Sequence, residues 1–412
     1  MMGRIAWRNL WRNRTRTGIM VSAIALSYGL MLVLFGIADY SYQEMGDATV
    51  AAVGGHVLVH GDGYWDLPTG GQVVGDPKRV RALGEEMPEV EAMAERVMVF
   101  GLVSTADATE AVQVMGIRPD EERHFFDPVD QLVEGEFLSG ERENGIVLAR
   151  ETAEILGVGI GDRVVVTATD LDGEMTRGLF FVDGLLRSTP GQAGESRAFT
   201  SLEDLQRTLG YGEAVTQVGL RLSDDRHRDR IAIALEGHLR AEDLEVLTWD
   251  EAVPELVAMI EFDQAFTYIY VLVIMFIVVL GITNTFLMAV MERVREIGLM
   301  SALGLTPRRL GSLIVIETML VTAVSMAIGF GLGLMGHYWM VAYGIDLTMM
   351  LGDLEMELAG VSLEMAMIHS HLDPMRWFVG SLVVFVFVCL SAIYPAVKAT
   401  RLAPAEAMRF YE

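Results

Sequence analysis

Lysine is almost missing from this 412-residue chain, which has only Lys78 and Lys398. A phosphate-binding loop needs Gly-Lys-Ser/Thr, because its lysine reaches the β and γ phosphates of ATP. Lys78 follows Pro77 and Lys398 follows Val397, so the chain has no such loop. Cysteine occurs once, at Cys389, which excludes an intramolecular disulfide and a cysteine-based zinc site. Gly-x-Ser-x-Gly and His-Glu-x-x-His are absent as well. Positive charge is scarce overall: 31 basic residues face 56 acidic ones, for a net charge of −25. Phosphate neutralisation needs clustered Lys and Arg, so this balance argues against nucleic acid as a partner.

What the chain has in plenty is apolar length. Hydrophobic residues make up 52% and the mean hydropathy is +0.36. A helix crosses the hydrocarbon core with roughly 20 apolar residues. Four windows meet that length: 22 uncharged residues between Arg16 and Asp39, 28 between Asp263 and Glu292, 36 between Arg309 and Asp346 broken only by Glu317, and 21 between Arg376 and Lys398. The first exceeds the apolar stretch of a cleavable signal peptide, roughly 7–15 residues, and no small-x-small site clearly ends it. Outside residues 41–265, all basic residues but Arg376 fall before the first span (Arg4, Arg8, Arg12, Arg14, Arg16), between spans two and three (Arg293, Arg295, Arg308, Arg309) and after span four (Lys398, Arg401, Arg409). With four spans these share one side, and the positive-inside rule makes it cytoplasmic, with both termini. Residues 41–265 alone sum to −26, so the opposite side carries the acidity.

The expected organisation is an α-helical membrane protein with four transmembrane helices and a large α+β periplasmic domain of two subdomains between helices 1 and 2. A cytoplasmic amphipathic helix covers 1–16, with Trp7 and Trp11 beside the arginines. Transmembrane helix 1 and its stalk cover 17–45, the periplasmic domain 46–249, and a second stalk with transmembrane helix 2 covers 250–290. A cytoplasmic segment covers 291–311, helix 3 312–341, a periplasmic loop 342–376, helix 4 377–396 and a cytoplasmic tail 397–412. Alternating runs predict strands at 56–60, 97–104, 112–117, 163–168, 178–184 and 215–222. Asp76-Pro77 starts a helix, Gly157 ends one begun at Ala149, Thr200 with Glu203 reads as a capping box, and Ser223 as the cap of 224–239. Residues 250–264 read as helix running into span two without a break. In span two, Thr283, Asn284 and Thr285 suit hydrogen bonds between helices, and Gly329, Gly331 and Gly333 in span three suit close helix approach. His369-Ser370-His371 reads as loop polarity rather than a metal site, since nothing fixes a third ligand.

The cytoplasmic stretch Glu292-Arg293-Val294-Arg295-Glu296-Ile297-Gly298-Leu299-Met300-Ser301-Ala302-Leu303-Gly304-Leu305-Thr306-Pro307 is amphipathic, with Ile297, Leu299, Met300 and Leu303 too apolar for a short loop. Either the headgroups or a pocket in another protein would cover them. The stretch resembles the coupling segment Glu-Arg-x-x-Glu-Ile-Gly-x-x-x-Ala-Leu-Gly of the FtsX-like, MacB-type ABC transporter permeases. Ala6-Trp7-Arg8-Asn9-Leu10-Trp11-Arg12-Asn13-Arg14 resembles that family's start. Pro395-Ala396-x-Lys398-Ala399-x-Arg401-Leu402-x-Pro404-x-Glu406-Ala407-x-Arg409 resembles its end. Val114-Met115-Gly116-Ile117 and Leu132-Val133-Glu134-Gly135 through Gly161-Asp162 resemble its periplasmic module.

The resemblance implies a non-catalytic permease, with ATP and magnesium bound by a separate ABC ATPase, two copies of it, and none in this chain. Glu292, Arg293, Arg295, Glu296, Ile297, Gly298, Leu299, Ala302, Leu303 and Gly304 would dock on that ATPase. It implies a second permease copy or paralogue and mechanical transmission to the periplasmic domain. The unfused layout is most similar to lipoprotein-releasing permeases, which extract lipoproteins from the inner membrane and pass them to a periplasmic carrier. Met31, Leu32, Phe35, Phe266, Tyr270 and Val273 are candidates for a lipophilic cavity beside spans one and two, with core packing as their alternative role. The 26 methionines suit adaptable contacts. In that family a long proline-containing hook between two strands captures the carrier. The matching connection here, Thr169–Arg177, is short and lacks proline. Other implied roles are export of peptides or antibiotics with a periplasmic adaptor, and regulation of periplasmic cell-wall hydrolases.

Overall fold

The computed structural model describes residues 14–65, 71–126, 131–138, 140, 142–187, 196–240, 242–292, 299, 305–346, 356–358, 361–363 and 367–400. The chain forms two compact units. One holds Met1–Gln43, Ile260–Gly352 and Ala366–Glu412; the other holds Glu44–Met259 and Asp353–Met365. In chain order the helices are α1 (Arg14–Val53), α2 (Pro77–Glu85), α3 (Pro119–Glu122), α4 (Arg150–Leu156), α5 (Leu202–Leu209), α6 (Arg228–Leu239), α7 (Trp249–Ala252), α8 (Pro254–Glu292), α9 (Pro307–Tyr343), α10 (Pro374–Ser391) and α11 (Ile393–Thr400).

The second unit is built around a ten-stranded sheet: β1 (Val57–Gly61), β2 (Val90–Ser104), β3 (Thr109–Ile117), β4 (Leu132–Gly135), β5 (Gly145–Ala149), β6 (Arg163–Thr169), β7 (Met175–Leu186), β8 (Ser196–Ser201), β9 (Gln217–Leu222) and β10 (Leu244–Thr248). They pair in the order β10-β1-β9-β2-β3-β8-β5-β7-β4, with β6 against β2 and β7. The long β2 belongs to both halves of this order. Its first part, Val90–Arg96, pairs with β9, and its second part, Val97–Ser104, pairs with β3. The core runs through the whole unit and includes Val59, Val97, Val114, Leu148, Phe180, Leu205, Leu220 and Leu235.

Local chemistry explains the helix ends. Asp76 accepts from the Arg79 N–H and Pro77 takes the first turn of α2, as the Asp-Pro pair predicts. Gly157 closes α4 at φ +66°, a left-handed conformation that glycine adopts without strain. Two expected caps sit one residue away. Ser201, not Thr200, accepts from the Asp204 N–H to start α5. Thr200 is still in β8, where its hydroxyl donates to the Gly145 carbonyl. Asp224, not Ser223, caps a 3-10 turn at Asp225–His227 that leads into α6. The helix expected over 250–264 is also interrupted. α7 ends at Ala252, Val253 leaves helical geometry, and Pro254 restarts the chain as α8.

Among the described residues four helices are long and apolar enough to cross a membrane: Thr17–Val53, Pro254–Asn284, Pro307–Tyr343 and Pro374–Lys398. Glycines bring α1 and α9 into backbone contact. A Cβ on Gly29 would lie 2.9 Å from the Gly329 carbonyl, one on Gly329 2.6 Å from the Ala25 carbonyl, and one on Gly333 3.0 Å from Leu32 Cβ. Gly331, expected to share this role, faces open space. The Thr283 hydroxyl donates to Val279 O, one turn back in its own helix. Asp373 accepts from the Met375 and Arg376 N–H groups to cap α10, with Pro374 in its first turn.

Candidate functional site

Within the helical unit, α1, α8 and α10 border a partly open apolar cavity of about 90 Å³. Ile24, Ser27, Tyr28, Leu30, Met31 and Leu34 line it from α1, Val271, Ile274 and Met275 from α8, and Val384 and Val388 from α10. Ser27 and Tyr28 are its polar lining residues, and the Tyr28 hydroxyl bonds Ser381 Oγ. Of the six residues named from sequence, Met31 lines this cavity. Leu32 packs against Gly333 and Phe35 against Gly380, both fully buried between helices. Phe266, Tyr270 and Val273 lie on an exposed face of α8. Span two is apolar on every side, so helical period alone could not choose its inward face.

Polar groups gather at one end of this bundle. Arg376 pairs with Asp39, and its guanidinium lies 5.9 Å from the ring centres of both Tyr42 and Tyr268. The Tyr42 hydroxyl donates to Asp263 Oδ2 at 2.7 Å. The Ser370 side chain fills the space a Cβ on Gly36 would need, and the His371 N–H donates to Gly36 O. His337 Nδ1 and Ser370 Oγ are 2.7 Å apart, and His369 Nδ1 donates to Met340 O. The histidines of the 369–371 segment therefore hold loop to helix. Among the described residues no group of three or more His, Cys, Asp or Glu is arranged to hold a metal ion.

Most of the proposed ATPase-docking residues lie outside the described residues: Arg293, Arg295, Glu296, Ile297, Gly298, Ala302, Leu303 and Gly304. Glu292 ends α8, and Leu299 is helical and exposed. In the other unit, the β6–β7 connection is a tight turn. Asp170 N–H donates to Glu174 O, and Asp170 Oδ1 accepts from the Asp172 and Glu174 N–H groups. Burial pushes the His60 imidazole down to about 4, and its ring stacks on Tyr64. Burial also lowers His56, whose Nδ1 accepts from the Leu222 N–H as a neutral ring must.

The sequence matches the MacB-like periplasmic core domain over residues 17–237, more than half of the chain, and the FtsX-like permease C-terminal region over 268–404. The chain belongs to the FtsX-like, MacB-type ABC transporter permeases. This permease is 23% identical to the lipoprotein-releasing system transmembrane protein LolC of Neisseria meningitidis, over 96% of this chain and 94% of that one. It is 22% identical to the corresponding LolE of Haemophilus influenzae, over 69% of this chain and 68% of that one. Among solved structures, the extracellular domain of the ABC-type transporter YknZ from Gram-positive bacteria aligns at 12% identity and a TM-score of 0.34. It covers 47% of this chain and 98% of that domain. Permeases of this type are generally non-catalytic and function with ABC ATPase partners. The four membrane-type helices and the periplasmic domain family make this permease an inner-membrane protein.

Proposed function

We propose that this permease transmits ATP-driven closure of a separate cytoplasmic ATPase to its periplasmic domain, and so extracts lipoproteins or another lipophilic envelope substrate from the inner membrane. The observation that carries this reading is the match to LolC along nearly the full length of both chains. Two physical features support it. At 1.5 Å per residue, the 40 residues of α1 and the 39 of α8 each span roughly 60 Å, about twice the hydrocarbon thickness. Each can therefore act as a strut that outruns the bilayer. The cavity among α1, α8 and α10 presents apolar walls that suit an acyl chain, with Phe266, Tyr270 and Val273 on an outward face of α8 that suits lipid or a second permease copy.

In this reading Glu292–Gly304 docks on the ATPase, the termini are cytoplasmic, and the two permeases are copies or paralogues. The tight Asp170–Glu174 turn leaves no projecting hook on that connection. The chain therefore acts as the hookless member of a pair, or in a homodimer whose carrier docks otherwise. A second reading, export with a periplasmic adaptor, draws on the MacB-like core match.

Glu296→Ala with Leu303→Asp should abolish stimulation of the ATPase and its co-purification. Unchanged binding and stimulation would remove the docking assignment. Depletion in the native cell should strand lipoproteins in the inner membrane. Normal lipoprotein sorting with failed drug or peptide efflux would favour the exporter, and normal sorting with failed cell-wall hydrolysis would favour a regulator.

A further inference from the structure

The end of α1 enters the sheet through a buried polar joint. A helix C-terminus leaves its last carbonyls without partners, and here two are claimed by side chains from neighbouring strands. Arg96 Nη1 on β2 donates to Gly54 O at 2.7 Å, and Gln217 Nε2 on β9 donates to Val53 O at 2.9 Å. Arg96 and Gln217 face each other in the β2–β9 ladder, so both grips come from one rung. The guanidinium is 1% exposed and is held by both oxygens of Glu122, at 2.7 and 2.9 Å, with the Phe125 ring 4.9 Å away. Glycine makes the approach possible: a Cβ on Gly54 would lie 1.6 Å from Arg96 Nη1, and one on Gly219 1.9 Å from Gly54 O.

The start of α7 shares this corner. β1 leaves the joint and pairs with β10 from Val57 opposite Thr248, the Trp249 N–H donates to His56 O, and Trp65 Nε1 bonds Ala252 O.

A buried ion pair is an expensive way to secure a helix end, since apolar residues of like volume are often at least as stabilising. What the pair adds is direction. A doubly held guanidinium resists displacement of the carbonyl it grips, whereas apolar packing allows sliding. The geometry points to Arg96, fixed by Glu122 and seconded by Gln217, as the positioning residue that makes the periplasmic sheet move with α1. This rests on the force-transmission reading above.

Hydrogen exchange on the full-length permease assembled with its ATPase in nanodiscs tests it, at rest and trapped with Mg-ATP and vanadate. The Gly54 and Gly55 amides bond Val50 O and the His56 amide bonds Leu220 O, so they report the joint directly. Gln217→Leu is the mild variant, because it also removes the buried Oε1 that has no hydrogen-bond partner. Arg96→Met with Glu122→Met removes both charges together. At rest, either variant should speed exchange of amides 54–56 at least tenfold with the rest of the sheet unchanged. On trapping, residues 44–53 should respond as in the parent while the response of β2 and β9 falls at least threefold. Parent-like exchange at 54–56, a uniform rise across the sheet, or an undiminished response of β2 and β9 in both variants would each overturn the joint. If the parent shows no response beyond α1, the transmission reading fails, and the resting comparison still decides the joint.

Discussion

Gly329 leaves no room for a side chain against the Ala25 carbonyl, while Gly331, two residues on, has nothing near it. Gly329→Leu should therefore wedge α1 from α9, at a cost of about 1–3 kcal/mol typical of overpacking. Gly331→Leu should stay within about 0.5 kcal/mol of the parent, as surface substitutions do. Thermal unfolding of the detergent-solubilised protein compares the two, and equal losses would contradict the packing. His60 makes a pH prediction. Its folded value near 4 lies below the ordinary 6.5, so the unfolded chain binds more protons between those values. The stability this provides is complete above pH 6.5 and is lost as pH falls toward 4. The span is on the order of 3 kcal/mol. His60→Phe, which keeps a ring for Tyr64 to stack on, should flatten that decline in melts at pH 7 and 4.5 that follow the periplasmic unit. A parallel decline in both proteins would assign the acid sensitivity elsewhere.

At the scale of elements, Ser201→Ala should remove the α5 cap and cost about 1 kcal/mol. Thr200→Ala should instead weaken the β8–β5 pairing through its bond to Gly145 O. Exchange rates of the first α5 amides separate the two effects. The one-residue error between Thr200 and Ser201 shows where reading from sequence stops: two hydroxyl residues in tandem both satisfy a cap pattern, and the strand ladder decides which is free. Spans, the Asp76 cap and the Gly157 stop were legible because each depends on neighbours in the chain. β5, with the residues Gly-Ile-Val-Leu-Ala, was not, because a strand buried on both faces loses its alternation. The Asp39–Arg376 pair joins residues 337 apart, and no local pattern announces it. The cavity face of α8 was hidden by its all-round apolarity.

For the whole molecule, the division of charge is also a division of labour. The net negative charge belongs to residues 41–265, while the segments that the positive-inside rule assigns to the cytoplasm carry an excess of arginine. A tag accessible to proteases only in permeabilised cells, placed after Glu412, checks that assignment; cleavage in intact spheroplasts would reverse it. Within the periplasmic unit, β2 is a constraint of another kind. Its 15 residues carry the register of one ladder at one end and of another at the other end. Inserting or deleting one residue inside it would turn the following side chains to the opposite face, exchanging core for surface in one half of the unit. Length variation is then forbidden within residues 92–104, past the register shift at Val90–Ala92, yet tolerable in the turns on either side. That makes this strand the reading frame that both halves of the domain must share.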